Sequence, residues 1–102
     1  MKVKKGAKWL GLRNEIIHAL GVIDRLVYQH TGQEPTLTSG TDGKHSKNSL
    51  HYKRRAVDVD WQPWGQKAEK VDYIAEQACI LLGPDYDVVV EPTHLHVEHD
   101  PK

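Results

Sequence analysis

Two short segments hold most of the side chains that could do chemistry. The first is Ser49-Leu50-His51-Tyr52-Lys53-Arg54-Arg55-Ala56-Val57-Asp58, and the second is Glu91-Pro92-Thr93-His94-Leu95-His96. Five of the seven histidines (His45, His51, His94, His96 and His99) fall in or beside them. A strand points residues i and i+2 to one face. His94 and His96 therefore project together, with Leu95 and Val97 turned the other way. Two imidazoles side by side need a polar cleft, a metal or open solvent to satisfy them. His51 and Asp58 are too far apart in sequence for one helical turn, but a turn at Lys53-Arg54 brings them together. Asp58 then sits on the following strand, whose polar face also carries Asp60. A carboxylate with two imidazoles is the usual protein ligand set of a catalytic zinc site. The fourth position is left to a water whose pKa falls toward about 7. The plainer alternative is a solvated polar face, with Lys53, Arg54 and Arg55 as ion partners for Asp58 and Asp60.

Taken as a pair, the segments resemble the zinc D-Ala-D-Ala metallopeptidases, a family that includes D,D-carboxypeptidases, D,D-dipeptidases and phage L-alanyl-D-glutamate endopeptidases. The zinc-binding domain of hedgehog signalling proteins is similar. The shared pattern is Ser-x-His-x-x-Gly-x-Ala-x-Asp, followed later by Glu-x-x-His or His-x-His. Ser49, His51, Ala56 and Asp58 match its first half, and Glu91, His94 and His96 match its second. The resemblance spans about Leu12 to Pro101. It implies zinc held by His51, Asp58 and His96, with His94 beside the metal as a catalytic group. The relatives with Glu-Pro-Trp-His imply a different assignment, since Glu91-Pro92-Thr93-His94 resembles that motif and would make His94 the ligand. The complete His-x-His favours His96. In either case Glu91 or His94 would take the proton from the activated water, and so must lie within hydrogen-bond reach of it. Two positions depart from the pattern. Arg54 stands where the family has glycine, which asks the turn to avoid positive φ. Ser39-Gly40-Thr41-Asp42 stands where relatives carry Ser-Gly-Tyr-Arg, so the substrate-holding arginine has no direct counterpart. Lys44, Lys47 and Arg54 are candidate replacements.

The resemblance implies a zinc peptidase that hydrolyses peptide bonds in peptidoglycan stem peptides, of the phage or prophage lysis type. A non-catalytic zinc-binding module of hedgehog type is the principal alternative. A metal-free adaptor of a phage particle is a third.

The elements that must position these residues can be read from periodicity. Leu12, Ile16, Leu20, Ile23 and Val27 recur at spacings of three and four, which predicts a helix over 12–30 that Thr31-Gly32 ends. Residues 35–39 suit a short strand, and 40–49 read as an exposed loop in which His45 and Ser46 could line a cleft. Alternation over 55–61 predicts a half-buried strand. A second amphipathic helix is expected over 66–82, built on Ala68, Val71, Ala75, Ala78 and Leu82 with Ile74 and Leu81 beside them, and stopped by Gly83-Pro84. Tyr86–Val90 and Thr93–Glu98 are expected to form a hairpin, with Pro92 permitting a bulge or edge position. The order predicts an α+β domain of hedgehog/DD-peptidase type, with two helices packed on one face of a small antiparallel sheet. Trp61 and Trp64 are expected in the core, Cys79 as a buried small hydrophobe, His18 and His30 as surface or packing residues, and His99-Asp100 as solvated.

Bulk composition narrows the remaining classes. The 102 residues suit one domain spanning 1–102. Basic and acidic residues balance at 14 each, so neither nucleic acid nor a membrane surface is an expected partner. One cysteine permits no internal disulfide. The basic start, Met1 to Lys5, is not followed by an apolar signal core, so synthesis in the cytoplasm is expected. Access to the cell wall would then depend on another factor or on a virion. A monomer is expected.

Overall fold

The computed structural model describes residues 1–40, 55–65 and 68–101. Its elements are β1 (Lys2–Val3), α1 (Asn14–Thr31), β2 (Thr36–Ser39), β3 (Ala56–Asp60), α2 (Ala68–Leu82), β4 (Tyr86–Val90) and β5 (His94–His99). The strands form one sheet in the order β1-β2-β3-β5-β4. The α+β class and the order of elements agree with the sequence expectation.

Helix α1 forms because its apolar residues fall on one stripe. Ile16, Ala19, Leu20, Ile23, Leu26 and Val27 are all buried, at spacings that share a helix face. Its last turn closes on Gly32, whose φ of 70° is the left-handed cap that glycine adopts without a Cβ penalty. The Gly32 N–H donates to the Tyr28 carbonyl at 2.9 Å. The first helical residue is Asn14 rather than Leu12, because Arg13 keeps extended backbone and receives the amides of Ile16 and Ile17 on its carbonyl. Helix α2 buries Val71, Ile74, Ala75 and Ala78 on the same principle. Leu81, expected beside that stripe, is exposed.

The two helices bury these stripes against one side of the sheet. Leu37 from β2, Val57 and Val59 from β3, and Leu95 and Val97 from β5 face them, and all five are essentially inaccessible. Burying a side chain of this size contributes about 1.5–3 kcal/mol, so this apolar layer fixes which side of β3 and β5 points inward. A one-residue slip would exchange the two faces, which is why the register is tightly specified.

The sheet is mixed rather than purely antiparallel. Strand β1 runs parallel to β2, with the Lys2 amide donating to the Pro35 carbonyl and the Lys4 amide to the Leu37 carbonyl, both at 2.9 Å. Lys2 and Val3, in a lysine-rich start, carry no periodic signal, so the sequence could not announce this strand. Cys79 is half-buried rather than buried. Trp64 is buried and Trp61 packs against the core, as expected.

Candidate metal centre

Strand β3 is paired on both sides, by β2 and by β5. Its ladder with β5 sets Asp58 opposite His96, Asp60 opposite His94 and Ala56 opposite Glu98. Directly opposed residues of an antiparallel pair share a face. With Val57, Val59, Leu95 and Val97 held in the core, Asp58, Asp60, His94, His96 and Glu98 are forced onto the other face. The sequence pattern thus reaches the site through burial: the apolar half of each strand aims the polar half.

On that face the groups meet. His96 Nδ1 stands 2.9 Å from Asp58 Oδ1, and His96 Nε2 stands 2.8 Å from Glu98 Oε1. His94 Nε2 is 3.7 Å from the same Asp58 oxygen, and its Nδ1 lies 3.2 Å from the Thr93 hydroxyl. The side chains of Asp58, His96 and Glu98 retain between 20% and 25% exposure, enough to admit a ligand while reducing screening by water. The Asp58 hydrogen bond raises the His96 pKa above the ordinary imidazole value; burial works against this and Glu98 adds to the rise.

The turn that carries Glu91 and His94 is tied to the end of β3. The Glu91 amide donates to the His94 carbonyl at 2.9 Å, leaving only Pro92 and Thr93 in the loop. Continuing the register Val89 to His96 and Val90 to Leu95 sets Glu91 opposite His94. Trp61 then clamps this turn, its indole N–H donating to the Glu91 carbonyl at 2.7 Å. Gly65 makes that clamp possible, since an added Cβ would collide with Val71 and press on the Trp61 ring and carbonyl. Beside His94 lies a polar cleft of about 250 Å³ lined by Lys4, Thr38, Asp60, Gln62 and Thr93.

The donors can be compared with what zinc requires. Ligand atoms held about 2.0–2.1 Å from a tetrahedral zinc lie about 3.3 Å from one another. The two imidazole approaches to Asp58, at 2.9 and 3.7 Å, bracket that separation. The three groups do not close into one set, however. Among the described residues, the ligand atoms that all lie within 4.8 Å of one another belong to Asp87, Glu98 and Asp100. If a metal binds here, one imidazole rather than both could share it with Asp58, and a further ligand would have to come from elsewhere. His96 suits that role better than His94. It is nearer, and its second nitrogen already meets a carboxylate, the arrangement that orients metal-binding histidines. Asp58 and His96 thus offer two donors of types that zinc accepts. The Asp87, Glu98 and Asp100 group offers only carboxylate oxygens, which suit harder cations than zinc.

The expected ligand His51 lies outside the described residues, as do His45, Ser46, Lys44, Lys47 and Arg54. His18 and His30 are exposed, and His30 packs edge-on against Tyr73 at 5.2 Å. His99 corrects the expectation of a solvated side chain. Its ring lies 4.8 Å from that of Tyr86, with which it is paired in the ladder, and its Nδ1 is buried. As an odd-numbered residue of β5, it follows Leu95 and Val97 toward the core side. The Asp100 amide donates to the Asp85 carbonyl at 2.7 Å. Two groups had no role assigned from sequence. Glu98 continues the i, i+2 series of His94 and His96, so the signal was present. Lys4 reaches the cleft only through the parallel β1–β2 pairing, and nothing local announces it. Compared with known proteins, the chain matches no protein-family model, no curated protein and no solved structure.

Proposed function

We propose that this domain is a zinc-dependent peptidase acting on the stem peptides of peptidoglycan, with the hedgehog/DD-peptidase type of fold. The observation that carries the proposal is the pairing of Asp58 with His96, with His94 approaching the same carboxylate oxygen, on the open face of a central strand. Asp58 and His96 would hold the metal, with His51 as the third ligand. Zinc supplies Lewis-acid polarisation of the scissile carbonyl and activation of water. His94 would move a proton: it sits on the same face, with Thr93 at its Nδ1 and its Nε2 3.7 Å from Asp58. Glu91, opposite His94 across the turn, is the alternative base. The cleft beside His94 offers hydroxyl, amide, carboxylate and ammonium groups, which suit a polar peptide that carries charge.

The test is release of new peptide ends from purified peptidoglycan. Release that requires zinc, is abolished by a chelator and is lost in His51→Ala and Asp58→Ala supports the proposal. Fully zinc-bound protein that releases nothing would instead indicate a non-catalytic zinc module.

A further inference from the structure

The polar cleft of about 250 Å³ beside His94 is lined by one ammonium, from Lys4, and one carboxylate, from Asp60. The two do not pair with each other, and among the described residues neither takes part in any ion pair. We propose that this cleft is a binding site for a zwitterionic amino acid group, whose carboxylate meets Lys4 and whose ammonium meets Asp60. Binding there requires no metal and stands apart from the peptidase reading.

The sheet keeps the two charges apart. Lys4 follows β1, its amide bonded to the Leu37 carbonyl of β2, whereas Asp60 ends β3. Strand β2 lies between them, and two strand spacings of about 4.8 Å separate their backbones by roughly 10 Å. This middle strand brings only Thr38 to the cleft. The β2–β3 register shifts between Leu37 and Ser39, which makes Thr38 the extra residue of a bulge. Its hydroxyl donates to the Asp58 carbonyl at 3.3 Å, so it lies along the sheet instead of rising between the charges. Asp60 is held in place as well: its Oδ1 accepts the Gln62 amide at 2.9 Å, which leaves Oδ2 for a ligand. A cation alone would meet Asp60 but face the Lys4 ammonium, and an anion alone would meet the reverse. Only a ligand that carries both charges gains from both walls. An ammonium and a carboxylate on one carbon are that ligand in its smallest form. Peptide bonds consume the α-amino and α-carboxyl groups, so an interior residue of a peptide keeps both charges only where its side chain itself ends in an amino acid group. Such a diaminodicarboxylic residue is the substrate group this cleft would favour over one that ends in a bare amine.

The experiment titrates chelator-treated protein with alanine, N-acetylalanine and alaninamide. These probes are of similar size and carry both charges, the carboxylate alone and the ammonium alone. The titration runs at about pH 6.5, below the α-amino range, and at low salt, because exposed charges are screened. Amide proton–nitrogen NMR spectra give the affinity and the place of binding, and show that each variant is folded. One exposed ion pair is worth about 2- to 5-fold in affinity. Alanine should therefore bind wild type about 2- to 5-fold more tightly than either singly charged probe, with shifts centred on Thr38, Asp60, Gln62 and Thr93. In Lys4→Ala the advantage of alanine over alaninamide should vanish, while its advantage over N-acetylalanine remains. Asp60→Asn, which keeps an acceptor for the Gln62 amide, should show the reverse. Equal binding of the three probes to wild type, shifts centred elsewhere, no saturable shift, or the same loss of discrimination in both variants would overturn the inference. Because no metal is present, failure here leaves the peptidase reading standing, and a failed peptidase assay leaves this site standing.

Discussion

Replacing Trp61 with Phe tests whether the hairpin turn is clamped to β3 as described. The change keeps an aromatic ring against the core but deletes the indole donor that bonds the Glu91 carbonyl at 2.7 Å. That bond is only partly buried, so water can replace part of it, and its loss should cost about 1 kcal/mol rather than the upper end of the range for an orphaned group. The smaller ring also gives up contact near Gly65, which adds roughly 0.5–1 kcal/mol. The expected total is about 1.5–2 kcal/mol. Urea unfolding followed by far-ultraviolet circular dichroism reads this directly. With a slope of about 1–1.5 kcal/mol per molar for a domain of this size, the midpoint should fall by roughly 1–2 M with the slope unchanged. If the domain is the peptidase proposed above, turnover should fall as well, because the turn carries Glu91 and His94, while zinc affinity should stay nearly intact. A midpoint within about 0.2 M of wild type would refute the clamp.

Three further outcomes follow from the same geometry. Gly65→Ala should destabilise by about 1–3 kcal/mol through overpacking against Val71 and Trp61, whereas Gly21→Ala, where an added Cβ meets nothing, should be neutral or stabilising; thermal unfolding of the two variants makes the comparison. In chelator-treated protein, the raised pKa of His96 should add stability that is fully present below the unfolded imidazole value of about 6.5 and lost as pH rises through the folded value; urea midpoints that climb between pH 6 and 8 would contradict this. Lys4→Ala should raise KM by about 2- to 5-fold, the worth of one exposed ion pair, with kcat unchanged, if the cleft beside His94 receives a substrate carboxylate.

The parts of this fold that the sequence disclosed are those where burial imposes a period. The 16, 20, 23, 27 series of α1 and the alternation through Val57 and Val59 are consequences of one buried side, so they can be read without coordinates. The same logic brought Asp58, His94 and His96 to one face. Register was the missing quantity: alternation says that Asp58 and His96 each point outward, not that they are opposite one another. Only the β3–β5 pairing supplies that. Glu98 lay in the same alternation, but its role depends on a distance to one ring nitrogen, which no spacing rule predicts. Strand β1 and Lys4 were illegible because two paired residues in a lysine-rich start resemble any charged terminus. His99 misled for a related reason: a polar residue late in a strand looks solvated, yet its parity sends it inward beside Tyr86.

The central claim is one zinc ion held by Asp58 and His96, and equilibrium zinc titration across single-site variants tests it most directly. The account predicts one zinc per chain in the wild type and its loss in Asp58→Ala, His96→Ala and His51→Ala. His94→Ala should keep the zinc and lose turnover. Zinc binding that survives His96→Ala and disappears in His94→Ala would contradict the assignment, and binding that survives Asp58→Ala would contradict the site altogether.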